Sequence, residues 1–281
     1  MILTLKDTGK YLSIGLVCCL LHSVVYAEYT ISIVPQISAN KIENRWRPVL
    51  EFIEQEVGVG FKIIHHASIE EFEESVAAGE VDFAYMNPFH AFRAKELQGY
   101  TPIIRDRTKM LFGQLWVNKR SGYESLEDLD GGLIVFPAPN AFGASLYMRA
   151  LLREKEGINF RAKYVKTHSN VYRHVAMGRS EAGGGVARTY NAEPENLRQQ
   201  LRLIYQTPGV RPHPICVHPR VPEAVQRQFA EAVIELFNSG ESGIERLRAI
   251  GIPEPVLSDY DTDYFPLGAL NLSQYVEGSM R

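Results

Sequence analysis

Cysteine is nearly absent: the 281 residues contain three, at positions 18, 19 and 216. Two of them fall in an N-terminal stretch that reads as a removable leader. Only Cys216 then remains, and no internal disulfide can form. The fold must be held by apolar burial, which a chain of this length can supply in two lobes. Charge of one sign is lacking too. Thirty Lys and Arg against 33 Asp and Glu leave a formal charge of −3, with the basic residues scattered. That excludes the electrostatic footprint of a nucleic-acid partner. Long hydrophobic runs are missing apart from residues 11–25, a run too short and too soon followed by Glu28 for a membrane span. Lys6 and Lys10 precede it and Val25-Tyr26-Ala27 ends it. This is the layout of a secretory signal peptide over 1–27, cleaved after Ala27, and it predicts a periplasmic protein. An uncleaved anchor is the alternative.

Motifs of chemistry are also missing. There is no P-loop, nucleophile elbow, dinucleotide fingerprint or zinc-protease motif, and no nucleophile paired with a base. No enzymatic activity and no cofactor are expected. His213, Cys216 and His218 are metal-ligand types, but prolines keep this stretch extended and set residue 213 on the face opposite 216 and 218. His65 and His66 likewise point apart, so no metal site is predicted.

What is present is α/β patterning. Ser68-Ile69-Glu70-Glu71 is a capping box, with Ile69, Phe72 and Val76 at helical spacing. Gly79 ends that helix, 81–85 is a short buried strand, and Asn87-Pro88 turns the chain outward where ligands of α/β sheets sit. Before this unit come a strand at 30–34, a helix carrying Trp46, Val49, Leu50, Ile53 and Val57, and a strand at 61–64. Pro48 fits that helix only in its first turn. After it, 89–97 is helical and 100–104 extended. The order predicts a largely parallel sheet with helices on its faces. Strand 111–118 leads into a second series: strand 133–136, loop 137–143, helix 144–154, strand 164–165, a loop at 168–170 capping a helix to 177, a glycine-rich strand 181–186 where backbone is expected to approach closely, and strand 203–206. Residues 207–222 hold five prolines and read as an extended linker back to the first lobe. Helices follow around Val225–Phe237 and 244–250, and the tail after Pro253 suggests no function. Two α/β halves joined by two crossings predict a hinged receptor closing on a ligand by lobe rotation.

Trp46-Arg47-Pro48 with Gly58, Gly79-Glu-Val-Asp82-Phe-Ala-Tyr85 and Leu126-Glu-Asp-Leu-Asp-Gly131 resemble the phosphate/phosphite/phosphonate-binding family of periplasmic ABC-transporter proteins. The resemblance runs from about Thr30 to about Phe237. It implies a two-lobed, type II, transferrin-like fold, each lobe a mixed, mostly parallel sheet flanked by helices. The lobes would be 28–115 with 214–281, and 116–213, joined by two crossing strands. It implies a monomer that binds a small-molecule anion, phosphonate- or phosphate-like or organic, for a membrane permease. The alternative output is a membrane sensor, a histidine kinase or diguanylate cyclase. Such sites hold oxyanions at helix N-termini. The matching positions are Tyr85, Met86, Asn87 and Phe112, then Asn140, Ala141, Phe142, Gly143 and Ser145, then His168 and Arg188. The chain departs from the family at several of these. A Ser-Thr-Ser-Gly run is replaced by Asn140, Ala141, Phe142 and Gly143, two tyrosines become Ile69 and Phe112, and an ammonium-binding acid becomes Arg188. Each lost donor to a charged ligand is worth roughly 1.5–3 kcal/mol. An aminoalkyl-phosphonate is therefore disfavoured, and Arg188, if it faces the cleft, favours a second negative group or a carboxylate. The aromatic residues near these loops suit a pocket more apolar than that of the phosphonate binders. Arg45, Arg47 and Lys41 read as a solvated face that steers anions at most.

Overall fold

The computed structural model describes residues 27–280. Apart from Ala27, the leader assigned from sequence lies outside the described residues. Among the described residues, no helix is long and apolar enough to cross a membrane.

Strand β1 (Glu28–Ile33) leads to helix α1 (Ala39–Val57), then β2 (Gly60–Ile64), α2 (Ile69–Ala77), β3 (Phe83–Tyr85), α3 (Pro88–Gln98) and β4 (Thr101–Asp106). The local signals account for these elements. Ser68 Oγ accepts from the Glu71 amide at 3.2 Å while Glu71 Oε2 accepts from the Ala67 amide at 2.8 Å, a capping box that starts α2. Asn87 caps α3 with Pro88 in its first turn, and Gly58 in a left-handed conformation ends α1. Pro48 lies inside α1, not in its first turn, because the helix begins earlier, at Ala39.

The second series runs β5 (Gly113–Asn118), β6 (Leu133–Phe136), α4 (Tyr147–Glu154), β7 (Arg161–Tyr164), α5 (His168–Ala176), β8 (Ala182–Val186), α6 (Ala187–Asn191), α7 (Glu195–Arg198) and β9 (Leu201–Gln206). The chain then returns through β10 (Ile215–Val217), α8 (Glu223–Asn238), α9 (Glu241–Ile250), β11 (Pro255–Leu257) and α10 (Tyr260–Asp263), and ends in three short 3-10 turns. Two mixed sheets result, ordered β11-β4-β10-β3-β1-β2 and β7-β6-β8-β5-β9. The proline-rich return is more than a linker. It contributes β10, which pairs antiparallel between β3 and β4 at the centre of the first sheet.

The sheets are joined where the chain crosses twice. There Leu111 and Val210 exchange backbone hydrogen bonds of 2.8 and 3.0 Å, and the Gly113 amide donates to Thr207 Oγ1 at 2.9 Å. The second sheet is covered on its two faces by separate apolar clusters, around Phe136 and Tyr172. The core of the first lobe is continuous across the cleft with Phe142, Leu146 and Tyr147 of the second. The lobes therefore meet through packed side chains.

Candidate functional site

The first wall of the cleft follows β3. Tyr85 is buried against Trp46 (ring centroids 5.1 Å apart) and stacks on His213 at 5.5 Å. Burial raises its phenol pKa above the usual value, and its hydroxyl accepts from Arg188 Nη1 at 3.2 Å, a bond from one lobe to the other. Met86 is fully buried and its amide donates to the Pro214 carbonyl, so its side chain belongs to the core. Asn87 Oδ1 accepts from the His90 amide at 2.8 Å, and its Nδ2 donates across the cleft to the Asn140 carbonyl at 3.2 Å.

The opposite wall follows β6. The chain winds through a π-type turn, Phe142–Leu146, before α4 begins, so the helix starts three residues later than its apolar spacing predicts. This turn packs backbone to backbone against β5 and β8. A Cβ on Gly184 would lie 1.9 Å from the Ala144 carbonyl oxygen, and one on Gly113 would lie 2.1 Å from that of Gly143. The glycine-rich strand serves this close approach. Phe142 fills the cleft, its ring near parallel to Phe89 at 6.3 Å and to Tyr147 at 5.4 Å. Ser145 Oγ accepts from Arg149 Nε at 3.2 Å. His168 is the first residue of α5, which Thr167, not His168, caps. Its Nδ1 meets Thr189 Oγ1 at 3.2 Å, its buried Nε2 has no partner, and burial pushes its pKa down to about 4. It is neutral at physiological pH.

The turns expected to converge do so: Asn87, Ala141 to Ala144 and His168 line one space. That space is only about 10 Å³, room for about one water. Asn140, which stands where the family has a hydroxyl, is occupied elsewhere. Its Nδ2 donates to Glu73 Oε2 at 2.8 Å and to the Glu277 carbonyl at 2.5 Å, and its Oδ1 accepts from the Glu277 amide at 3.0 Å. Glu73 Oε1 in turn meets His90 Nε2 at 2.7 Å. His90 is thus buried in a hydrogen-bonded cluster with Glu73 and Asn140, neither lining the cleft nor on a helix surface. The C-terminal tail, to which the sequence assigns no role, crosses from lobe to lobe here. Arg149 donates to the Pro139 carbonyl at 2.9 Å and to the Tyr275 carbonyl at 2.7 Å, with the Tyr164 and Tyr275 rings beside it. Arg93 Nε donates to the Met280 carbonyl at 2.8 Å.

The larger opening of the cleft, about 380 Å³, lies beside the crossing segments. Tyr85, Phe112 and Arg188 line it, as do Gln36, Lys109 and His213, which sequence reasoning did not select. Two cations and no acid are in its lining. His213 Nε2 meets Gln36 Nε2 at 3.2 Å, and burial pushes the His213 pKa down to about 3, with Arg188 adding to the effect. A narrow extension of about 30 Å³ shares Gln36, Tyr85 and Arg188 and reaches Arg45 and Trp46. A wider depression of about 580 Å³ on the outer face of the first lobe is lined by Glu28, Glu51 and Glu54 and lies away from the cleft. His213, Cys216 and His218 diverge, to the cleft, the sheet and the Tyr100 ring respectively.

The family model of ABC transporter, phosphonate, periplasmic substrate-binding proteins matches residues 31–264. The chain belongs to this family. As a phosphonate-binding-family protein it is a non-enzymatic, periplasmic solute receptor of the kind that delivers small molecules to a membrane permease. Its two-lobed type II fold is shared with solved structures. A binding protein component of an ABC phosphonate transporter from Pseudomonas aeruginosa superposes with TM-score 0.77 at 15% identity, over 87% of this chain and 85% of that one. A Prochlorococcus marinus protein in complex with methylphosphonate gives 0.77 at 14%, over 86% and 96%. A Xanthomonas citri protein bound to ATP gives 0.73 at 16%, over 89% and 100%. At such identities what is shared is the fold. No curated protein matches the sequence.

Proposed function

We propose that the protein is an exported receptor that takes up a small organic anion between its lobes and presents it, as a monomer, to an ABC permease. The boundary expected between 115 and 116 falls inside β5 of the second sheet, so the lobes in this reading are residues 28–112 with 214–281, and 113–213. The observation that carries this reading is the cavity beside the crossing segments, where Lys109 and Arg188 face a space with no acid in its lining. Its volume of about 380 Å³ lies within the roughly 300–1,000 Å³ range of small-molecule sites. Because the cavity is built from both lobes, a bound anion couples them. The space around Ala141 to Ala144 has no lysine or arginine in its lining, so this reading seats the ligand beside Tyr85, Phe112 and Arg188.

A thermal-shift panel of phosphate, phosphite, alkylphosphonates, sulfonates and carboxylates on the mature chain tests the reading. A ligand at 100 times its Kd adds about 2.7 kcal/mol of stability. At about 2–4 °C per kcal/mol for a chain of this size, Tm rises by about 5–11 °C. No shift with any anion would remove the reading, and turnover of a substrate would replace it.

A further inference from the structure

The cleft brings two guanidinium groups from different lobes to one gap. Arg45 projects from α1 of the first lobe and Arg188 from α6 of the second, and both line the narrow extension of the cavity. Among the described residues, Arg45 forms no hydrogen bond or ion pair, and Arg188 forms one hydrogen bond, to the neutral hydroxyl of Tyr85. A shortage of acids on α1 does not explain this. Arg47, two residues on, pairs with Glu43 at 3.0 Å and Glu54 at 3.6 Å. Arg149, the buried arginine of α4, is satisfied by carbonyls and Ser145. Arg45 and Arg188 line one gap, and among the described residues neither has an ion-pair partner. Burial, and then the Arg188 charge, lower the pKa of Arg45. Two like charges across a cleft oppose its closure, and an anion between them reverses that effect. Each guanidinium offers five N–H donors in a planar fork that suits a carboxylate, sulfonate or phosphonate.

The neighbouring walls are apolar. Met110, Leu111, Phe112, Val186 and Pro212 line the main cavity, and the only hydroxyl groups in its lining are those of Tyr85 and Thr108. A bare tetrahedral oxyanion would leave these walls uncovered and most of its own oxygens without donors. An apolar group attached to the anion would cover them.

We infer that Arg45 and Arg188 form a two-lobed clamp for the acidic head of an organic acid, whose apolar body fills the cavity against Met110, Leu111 and Phe112; the gap between the two arginines, about 30 Å³ in this structure, widens to admit the head. This rests on the receptor reading above and adds the ligand class and the two residues that select it. Binding then favours closure because the head group needs one arginine from each lobe.

The test is titration calorimetry of the mature wild-type chain with phenylphosphonate, phenylacetate, methylphosphonate and inorganic phosphate. Phenylphosphonate or phenylacetate is expected to bind at least 10-fold more tightly than methylphosphonate, and inorganic phosphate to bind weakest. Arg45→Gln and Arg188→Gln should each weaken the phenyl ligand about 10- to 100-fold, the loss of one charge-assisted bond. Arg45→Lys and Arg188→Lys should restore part of it, and Arg47→Gln should leave it unchanged. A circular-dichroism melt of each variant confirms that it folds. Inorganic phosphate or methylphosphonate binding as tightly as the phenyl acids, or full affinity in both Gln variants, overturns the clamp while leaving the receptor reading in place. No binding of any of the four overturns both.

Discussion

Replacing Asn140 with alanine removes three side-chain hydrogen bonds at the point where both lobes and the C-terminal tail meet. The acceptors and donor left behind are Glu73 Oε2, the Glu277 carbonyl and the Glu277 amide. Glu73 is 2% exposed, so water does not readily replace the lost donor. A hydrogen bond to a carboxylate is worth about 1.5–3 kcal/mol and a neutral one about 1 kcal/mol, which makes the expected loss about 3–5 kcal/mol. For a chain of this size that lowers Tm by about 6–20 °C, measured by circular dichroism at neutral pH. Asn140→Asp is the sharper variant, because it sets a second carboxyl where an amide donor lies 2.8 Å from Glu73 Oε2. Like charges so close raise the pKa of the pair. A raised carboxyl binds more protons folded than unfolded, so the contribution is lost as pH rises. Asn140→Asp should therefore approach wild-type stability as pH falls toward 5 and drop below Asn140→Ala above pH 7. A Tm change under 2 °C for Asn140→Ala would refute the argument that this cluster ties the lobes together.

Four further predictions follow, three from buried groups and one from an exposed glycine. Burial holds His168 and His213 neutral, with pKa values of about 4 and about 3 against a usual 6.5. The unfolded chain takes up their protons first, so stability falls as pH drops below 6.5, by about 2 kcal/mol for each histidine at pH 5. Urea unfolding at pH 7 and pH 5 measures this, and an equal stability at both would contradict it. Gly184→Ala forces a Cβ to within 1.9 Å of the Ala144 oxygen and 2.7 Å of the Phe136 ring. It should cost about 3 kcal/mol in chemical denaturation. Gly122→Ala meets nothing within 4 Å and should change stability by no more than about 0.5 kcal/mol. Cys216 is buried between β3 and β4, and burial pushes its thiol pKa well up. It should resist Ellman's reagent in the folded protein and react fully in guanidinium chloride; rapid labelling of the native chain would contradict its placement.

Local signals made much of the fold legible. The Ser68 capping box, the Asn87-Pro88 helix start and the Gly58 stop are each satisfied within a few residues of sequence. The glycine run in β8 signalled a close backbone approach, though not that the Ala144 carbonyl makes it. What escaped depends on distant partners. The three residues of β10 sit among five prolines, and only pairing with β3 and β4 makes them a strand. The tail after Pro253 is broken into short turns, so its buried Tyr264, Leu267, Leu272, Val276 and Met280 keep no helical period, and its carbonyls are held by distant Arg93 and Arg149. At the site, Arg188 and Phe112 could be placed through the family pattern. Arg45 read as a surface charge because its distinguishing property, a place in the gap opposite Arg188 with no ion-pair partner among the described residues, is three-dimensional. His213 was hidden by its proline-rich setting. Asn140 looked available for a ligand until the structure placed Glu73 beside it.

A crystal structure of the mature protein grown with phenylphosphonate tests the central claim most directly. The account predicts phosphonate oxygens within about 3 Å of guanidinium nitrogens of both Arg45 and Arg188, with the ring against Phe112. A phosphonate seated instead against the Ala141 to Ala144 turn, with Phe142 displaced and both arginines unengaged, would contradict it.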